Sequence, residues 1–212
     1  MNKKVSKVED LKEKLRRGEL TPKEAKEILH QRGLGEQESW KWKVSGVIVW
    51  AAYFILWLFP SLGRQSGSES FAQLSAFRFP AIVIFISAVL LATAIVLAVW
   101  MHLSHRKWGG LKGSDETIIF HRKGPFRIMR HPGVFSLMIG GIFLPIALSR
   151  GPTFTLLSVA AIIIFVAFHY YIILVEERIN TEKWGDEYQK YIKEVPRFNF
   201  ILGLWRLRKE TE

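Results

Sequence analysis

Four apolar stretches, separated by charged or glycine- and proline-bearing segments, set the pattern of this chain. Val44 to Leu62 carries no Lys, Arg, Asp or Glu over 19 residues, Phe79 to Leu103 none over 25, and Thr153 to Val175 none over 23. Each meets the roughly 20 residues needed to cross about 30 Å of hydrocarbon as a helix, so three spanning helices are expected. The stretch Val134 to Ser149, third in chain order, is shorter and contains Gly140, Gly141 and Pro145. It either spans with help from its flanks or forms the first arm of a re-entrant hairpin that turns at Arg150-Gly151-Pro152. The expected fold is all-α: a polytopic integral membrane protein with about four hydrophobic helices.

The polar pattern before the first span has a helical period instead. Lys7 to Arg17 and Pro22 to Gln31 read as two short helices, the first ended by Gly18 and the second by Gly33 and Gly35. Thr21-Pro22-Lys23-Glu24 supplies an N-cap, a proline at the first helical position and the acid of a capping box. Val8, Leu11, Leu15, Leu20, Ala25, Ile28 and Leu29 form an apolar stripe, enough for a helical hairpin but thin for an independent core. The domain division expected is therefore a cytosolic helical hairpin over 1–43, suited to protein docking, and a membrane domain over 44–212. Beyond Val175 a charged helix runs to Trp184, Gly185-Asp186-Glu187-Tyr188 restarts a helix, and Val195-Pro196 stops it. Phe198 to Arg208 mixes Phe, Ile, Leu and Trp205 with Arg206 and Arg208, a composition suited to lying in the bilayer interface.

Charge then orients these elements. Of the 30 Lys and Arg, 12 precede Val44, 2 lie between the first two spans, 7 between Leu103 and Val134, 1 in the tight turn and 8 after Val175. By the positive-inside rule the N-terminus, the central loop and the C-terminal tail are cytoplasmic. The net charge of +11 sits in juxtamembrane segments, where anionic headgroups are the simpler partner than nucleic acid. The chain has no cysteine, which excludes disulfides, thiolate nucleophiles and thiolate metal sites. Its first 43 residues are too charged for a signal peptide.

Candidate chemistry gathers at the helix ends. Lys123-Gly124-Pro125-Phe126 leads into Arg130-His131-Pro132, and Pro132 suits the first turn of the following helix. Glu176-Glu177 closes the last apolar run, with His169 seven residues before Glu176, on the same helix face and about 10 Å away along the axis. Asp186, Glu187, Tyr188, Tyr191 and Arg197 follow on the tail. Ionisable groups at membrane depth are costly and mark a cavity or a partner. The three groups converge if the last span returns its end beside the start of the third. His102, His105, His121 and His131 lack the spacing of a zinc helix or finger, so no metal is expected.

Gly124-Pro125-Phe126, Arg130-His131-Pro132, Glu176-Glu177, Trp184-Gly185-Asp186-Glu187-Tyr188, Tyr191 and Val195-Pro196-Arg197-Phe198 resemble, in order and spacing, the membrane methyltransferase superfamily of isoprenylcysteine carboxyl methyltransferases and phospholipid N-methyltransferases. The resemblance covers about residues 79–200. It implies transfer of a methyl group from S-adenosyl-L-methionine to a lipid or lipidated acceptor that enters from the bilayer. Gly124, Pro125, Arg130, His131, Pro132, Glu176 and Glu177 would bind the cofactor, and Glu187 and Arg197 would lie nearer the reacting centre as the catalytic pair. Methyl transfer is an in-line displacement, so positioning and exclusion of water carry it, without a nucleophilic residue or a metal. The chain departs from the family at Gly133-Val134-Phe135-Ser136, where members commonly carry a Tyr two residues after the proline and often a Gly two residues further. That difference bears on the substrate edge of the pocket.

Two other classes compete. Membrane sterol reductases resemble the same superfamily and carry an Arg-His-Pro element, which would make NADPH the cofactor, although the additional helices they need are hard to find here. A non-enzymatic anchor would use the hairpin as its working part and should tolerate substitution of His131 or Glu177.

Overall fold

Each long apolar run folds as one continuous helix that overshoots its uncharged core at one or both ends. The computed structural model describes residues 7–34, 40–67, 69–108 and 122–209. Gly35, expected to close the second helix with Gly33, and His121, one of the four histidines that lack metal-site spacing, lie outside the described residues. In chain order the elements are α1 (Glu9–Arg17), α2 (Pro22–Gln31), α3 (Trp40–Gln65), α4 (Glu69–Ala72), β1 (Ala76–Phe77), α5 (Ala81–Trp108), α6 (Pro132–Ala147), β2 (Phe154–Thr155), α7 (Leu156–Trp184), α8 (Asp186–Glu194) and α9 (Phe200–Lys209). The 3-10 turn Gly124–Arg127 precedes α6.

Three helices are long and apolar enough to cross a membrane: Val44–Gln65 within α3, Ala81–Ser104 within α5, and Leu156–Trp184. Helix α6, at 16 residues, covers only about 24 Å at 1.5 Å per residue. The chain is mostly helical, as expected, with one short strand pairing besides. Strands β1 and β2 pair antiparallel, Ala76 opposite Thr155 and Phe77 opposite Phe154. Two residues per strand are too few to show an alternating pattern, so the sequence has no periodicity from which to read them.

The chain divides into two compact units, one of Met1–Glu38, Ala98–Gly133 and Ile173–Glu212, the other of Ser39–Leu97 and Val134–Ile172. In the second, Tyr53 and Trp57 of α3 pack with Ala161 and Phe165 of α7 in a buried aromatic core. The Tyr53 hydroxyl donates to the Gly141 carbonyl at 2.8 Å. A Cβ at Gly141 would lie 2.5 Å from the Phe165 ring, so glycine here is what lets α6 approach the aromatic residues of α7. Much of the remaining apolar surface faces outward, including Ile82, Phe85 and Val96 of α5, each more than 60% exposed. In water such a surface would be costly. Against lipid it is the expected one.

The first unit carries the polar chemistry. Its hairpin forms as the sequence predicts: Gly18 adopts φ 72° at the end of α1, and Thr21 and Glu24 complete a capping box at the start of α2. The thin stripe does not stand alone, however. Val8, Leu11, Ala25, Leu29 and Leu34 share one core with Trp184, Tyr188, Tyr191 and Val195. Each Val or Leu side chain taken from water here stabilises the unit by about 1.5–3 kcal/mol before conformational entropy is counted. Arg32 fastens the hairpin ends, donating to both carboxylate oxygens of Asp10 at 2.8 and 2.6 Å. This hydrogen-bonded pair holds the Asp10 carboxyl below its ordinary range.

Candidate functional site

The candidate site lies wholly within the first unit, where Arg130-His131 precedes α6, Glu176-Glu177 belongs to α7, and Arg197 follows α8. Local geometry sets each position. Gly124 opens the 3-10 turn at φ +58°, a conformation that side chains with a Cβ rarely adopt. A Cβ there would also come within 3.0 Å of the Ser104 hydroxyl. Pro125 is buried in that turn, and Pro132 begins α6 at a position where its missing N–H costs nothing. The intervening Arg130 is tied by its backbone N–H to the Pro196 carbonyl at 3.0 Å. That bond brings the segment after α8 beside the Arg-His-Pro turn.

Glu177 is the centre of the cluster. Its carboxylate accepts from Arg197 Nε at 3.1 Å and Nη2 at 2.5 Å, meets His131 Nε2 at 3.1 Å, and lies 2.8 Å from Arg130 Nη1. His131 turns its other nitrogen, Nδ1, to Glu176 at 3.3 Å. A carboxylate can only accept, so an imidazole facing two of them binds best with both nitrogens protonated. Burial by itself pushes the His131 pKa down, and the hydrogen bonds and charges of Glu176 and Glu177 outweigh it, leaving the pKa raised. Two guanidinium groups and one imidazole thus share two carboxylates.

Arg130 is not fully paired. Its side chain is 8% exposed, and Nη1, although close to Glu177, lies off the line of a hydrogen bond. Nε and Nη1 are both buried without an acceptor among the described residues. Orphaned guanidinium donors cost far more in a protein interior than in water, which makes this the point where an anionic group would bind best. Glu176, with its side chain 34% exposed, is the less encumbered of the two acids.

The other sequence-predicted residues fall elsewhere. Glu187 and Asp186 sit exposed on the outer face of α8, and among the described residues no ion pair joins Glu187 to the cluster. Tyr188 and Tyr191 turn inward, and burial raises the pKa of both phenols. The Tyr191 hydroxyl donates to the Phe126 carbonyl at 2.7 Å, bracing the turn that precedes Arg130. His169 belongs to the second unit, where its Nδ1 faces the Phe165 carbonyl at 2.8 Å, and so carries the proton on that nitrogen. Tyr170 and Tyr171 are exposed, at 40% and 54%, as interfacial aromatics are.

The sequence reading overlooked a second group of arginines. Arg122, Arg127 and Arg206 line a cavity of about 310 Å³ with Glu194, Val195 and Leu207. Arg206 stands on the face of α9 opposite Phe200, Ile201, Leu204 and Trp205, an amphipathic spacing that could have marked it. Compared with protein-family models, curated proteins and solved structures, the chain matches none of them.

Proposed function

We propose that this protein is a membrane methyltransferase that binds S-adenosyl-L-methionine at the Arg130-His131-Glu176-Glu177-Arg197 cluster and methylates a lipid-like acceptor, an isoprenylcysteine carboxylate or a phospholipid headgroup amine. One observation carries the reading: residues from three separate motifs share one ion-pair network, and in it the buried Nε and Nη1 of Arg130 have no hydrogen-bond acceptor among the described residues. These residues fit the cofactor's charges. Arg130 would hold its carboxylate and Glu176 its ammonium group. Bound there, the cofactor would supply an electrophilic methyl on a sulfonium sulfur.

The chain's own work is positional. Glu177 is bound on all sides by cations and acts as a positioning residue that fixes Arg130, His131 and Arg197. His131, seated between Glu176 and Glu177, locks the two carboxylates to the start of α6. Gly124 and Pro125 shape the turn behind them. Arg197, the most open of the three cations with a side chain 29% exposed, is the group placed to steer an anionic acceptor. Glu187 is left out of the proposed site because of its place on α8.

In the proposed topology α6 is the short third of four hydrophobic segments, re-entrant instead of fully crossing, and both termini are cytoplasmic, as the distribution of Lys and Arg favours. The test is methyl transfer from labelled S-adenosyl-L-methionine by the protein in nanodiscs, to a prenylated cysteine analogue in one arm and an aminophospholipid in the other. Transfer to either acceptor, reduced in Arg130→Gln, is expected. No transfer in either arm, together with binding of NADPH, would move the reading to a reductase.

A further inference from the structure

The second arginine cluster has a different character from the first. Arg206 Nη1 donates to the carbonyls of Lys193 and Glu194 at 3.1 and 2.7 Å, which fixes its head at the end of α8. Arg122 pairs with Glu194 and lies 5.3 Å over the Tyr191 ring. Arg127 completes the wall from the exposed side of the 3-10 turn. Among the described residues three guanidinium groups and one carboxylate therefore line a cavity at the small end of the range for ligand sites, roughly 300–1,000 Å³.

Helix α9 joins this cavity to an apolar surface. Gly203 packs so tightly on the 3-10 turn that a Cβ would lie 1.9 Å from the Ile128 carbonyl oxygen, and this contact fixes the rotation of the helix. Phe200, Ile201, Leu204 and Trp205 are thereby turned outward, each 47–68% exposed, while Arg206 points into the cavity wall. An exposed apolar helix face bordered by arginines is the pattern of an element lying in a lipid headgroup region.

We propose that the cavity is a binding site for the phosphate of an anionic phospholipid, whose acyl chains run along the outward face of α9. The cations match the phosphodiester, and the four large apolar side chains match the tails. A free phosphate would use only the first of these, and a nucleic acid would leave the apolar face uncovered. The site is separate from the methyltransferase reading and stands or falls without it.

The experiment is intact-complex mass spectrometry of the full chain in a neutral detergent, titrated in parallel with phosphatidylglycerol, phosphatidylcholine and inorganic phosphate. Wild type should bind phosphatidylglycerol roughly tenfold more tightly than phosphatidylcholine, since each basic residue at an anionic surface contributes on the order of a fivefold gain. Arg127→Gln and Arg206→Gln should each reduce that preference, and Arg178→Gln, at a side chain 83% exposed, should keep it. Arg127 is exposed on the 3-10 turn, so its variant remains informative if Arg206→Gln fails to fold. Equal binding of the two lipids, a preference untouched by Arg127→Gln, or inorganic phosphate binding as tightly as the anionic lipid would each overturn the proposal.

Discussion

The two arginine clusters of the first unit use the same chemistry at different depths. Around Glu177, the side chains of Arg130 and His131 are 8% and 3% exposed, and every cation is locked by a carboxylate or waits with orphaned donors. Around the cavity of Arg122, Arg127 and Arg206, the one acid among the described residues, Glu194, is itself 34% exposed. Water screens the second cluster and reaches the first only at its edges, Glu176 and Arg197, leaving Arg130, His131 and Glu177 buried. Burial makes the first cluster costly to leave unpaired, whereas loss of a charge in the open cluster is offset by water.

The largest effect should come from removing the shared carboxylate. Glu177→Gln leaves Arg130 and His131 buried without their main counterion and should destabilise the first unit by about 3–5 kcal/mol, read as a fall in melting temperature in detergent. The corresponding change in the open cluster, Glu194→Gln, should cost about 0–1 kcal/mol. Similar losses at the two positions would erase the distinction between the clusters.

Between these lies Gly203→Ala, which disturbs the open cluster without altering a charge. The new methyl group would meet backbone at Ile128, which cannot step aside as a side chain end could, so α9 must shift at about 1–3 kcal/mol. A variant as stable as wild type would show that α9 is not seated by Gly203.

The subtlest effect is a dependence on pH confined to the buried cluster. The folded-state pKa of His131 is raised above its ordinary value of 6.5. Its ionic stabilisation is therefore fully present below about 6.5 and is lost as pH rises through the folded value. The gap in melting temperature between wild type and His131→Gln should be wider at about pH 6 than at about pH 9. A gap independent of pH would mean that the imidazole is neutral in its site.

The sequence revealed most where a signal is local. Uninterrupted apolar runs marked α3, α5, α6 and α7, and Thr21-Pro22-Lys23-Glu24 and Gly185-Asp186 marked the starts of α2 and α8 to the residue. The convergence of Arg130-His131 with Glu176-Glu177 was also legible, because stability gives no reason for such groups at helix ends. What remained hidden depends on pairing across the fold. The tail offered Glu187 and Arg197 equally, and only packing separates them: Tyr188, Tyr191 and Val195 turn inward, which leaves Asp186, Glu187, Gln189 and Lys190 outward on α8. Arg122 and Arg206, 84 positions apart in the numbering, looked like scattered juxtamembrane charge until α9 brought them to one cavity.

The central claim is that the buried cluster, and not the open one, holds the cofactor. The most direct test is calorimetric titration of the detergent-purified protein with S-adenosylhomocysteine, comparing wild type, Arg130→Gln and Arg127→Gln. The account predicts micromolar binding, about −8 kcal/mol, in wild type and in Arg127→Gln, with a loss of roughly tenfold to a hundredfold in Arg130→Gln. No binding to folded wild type, or a loss in Arg127→Gln with Arg130→Gln unaffected, would contradict it.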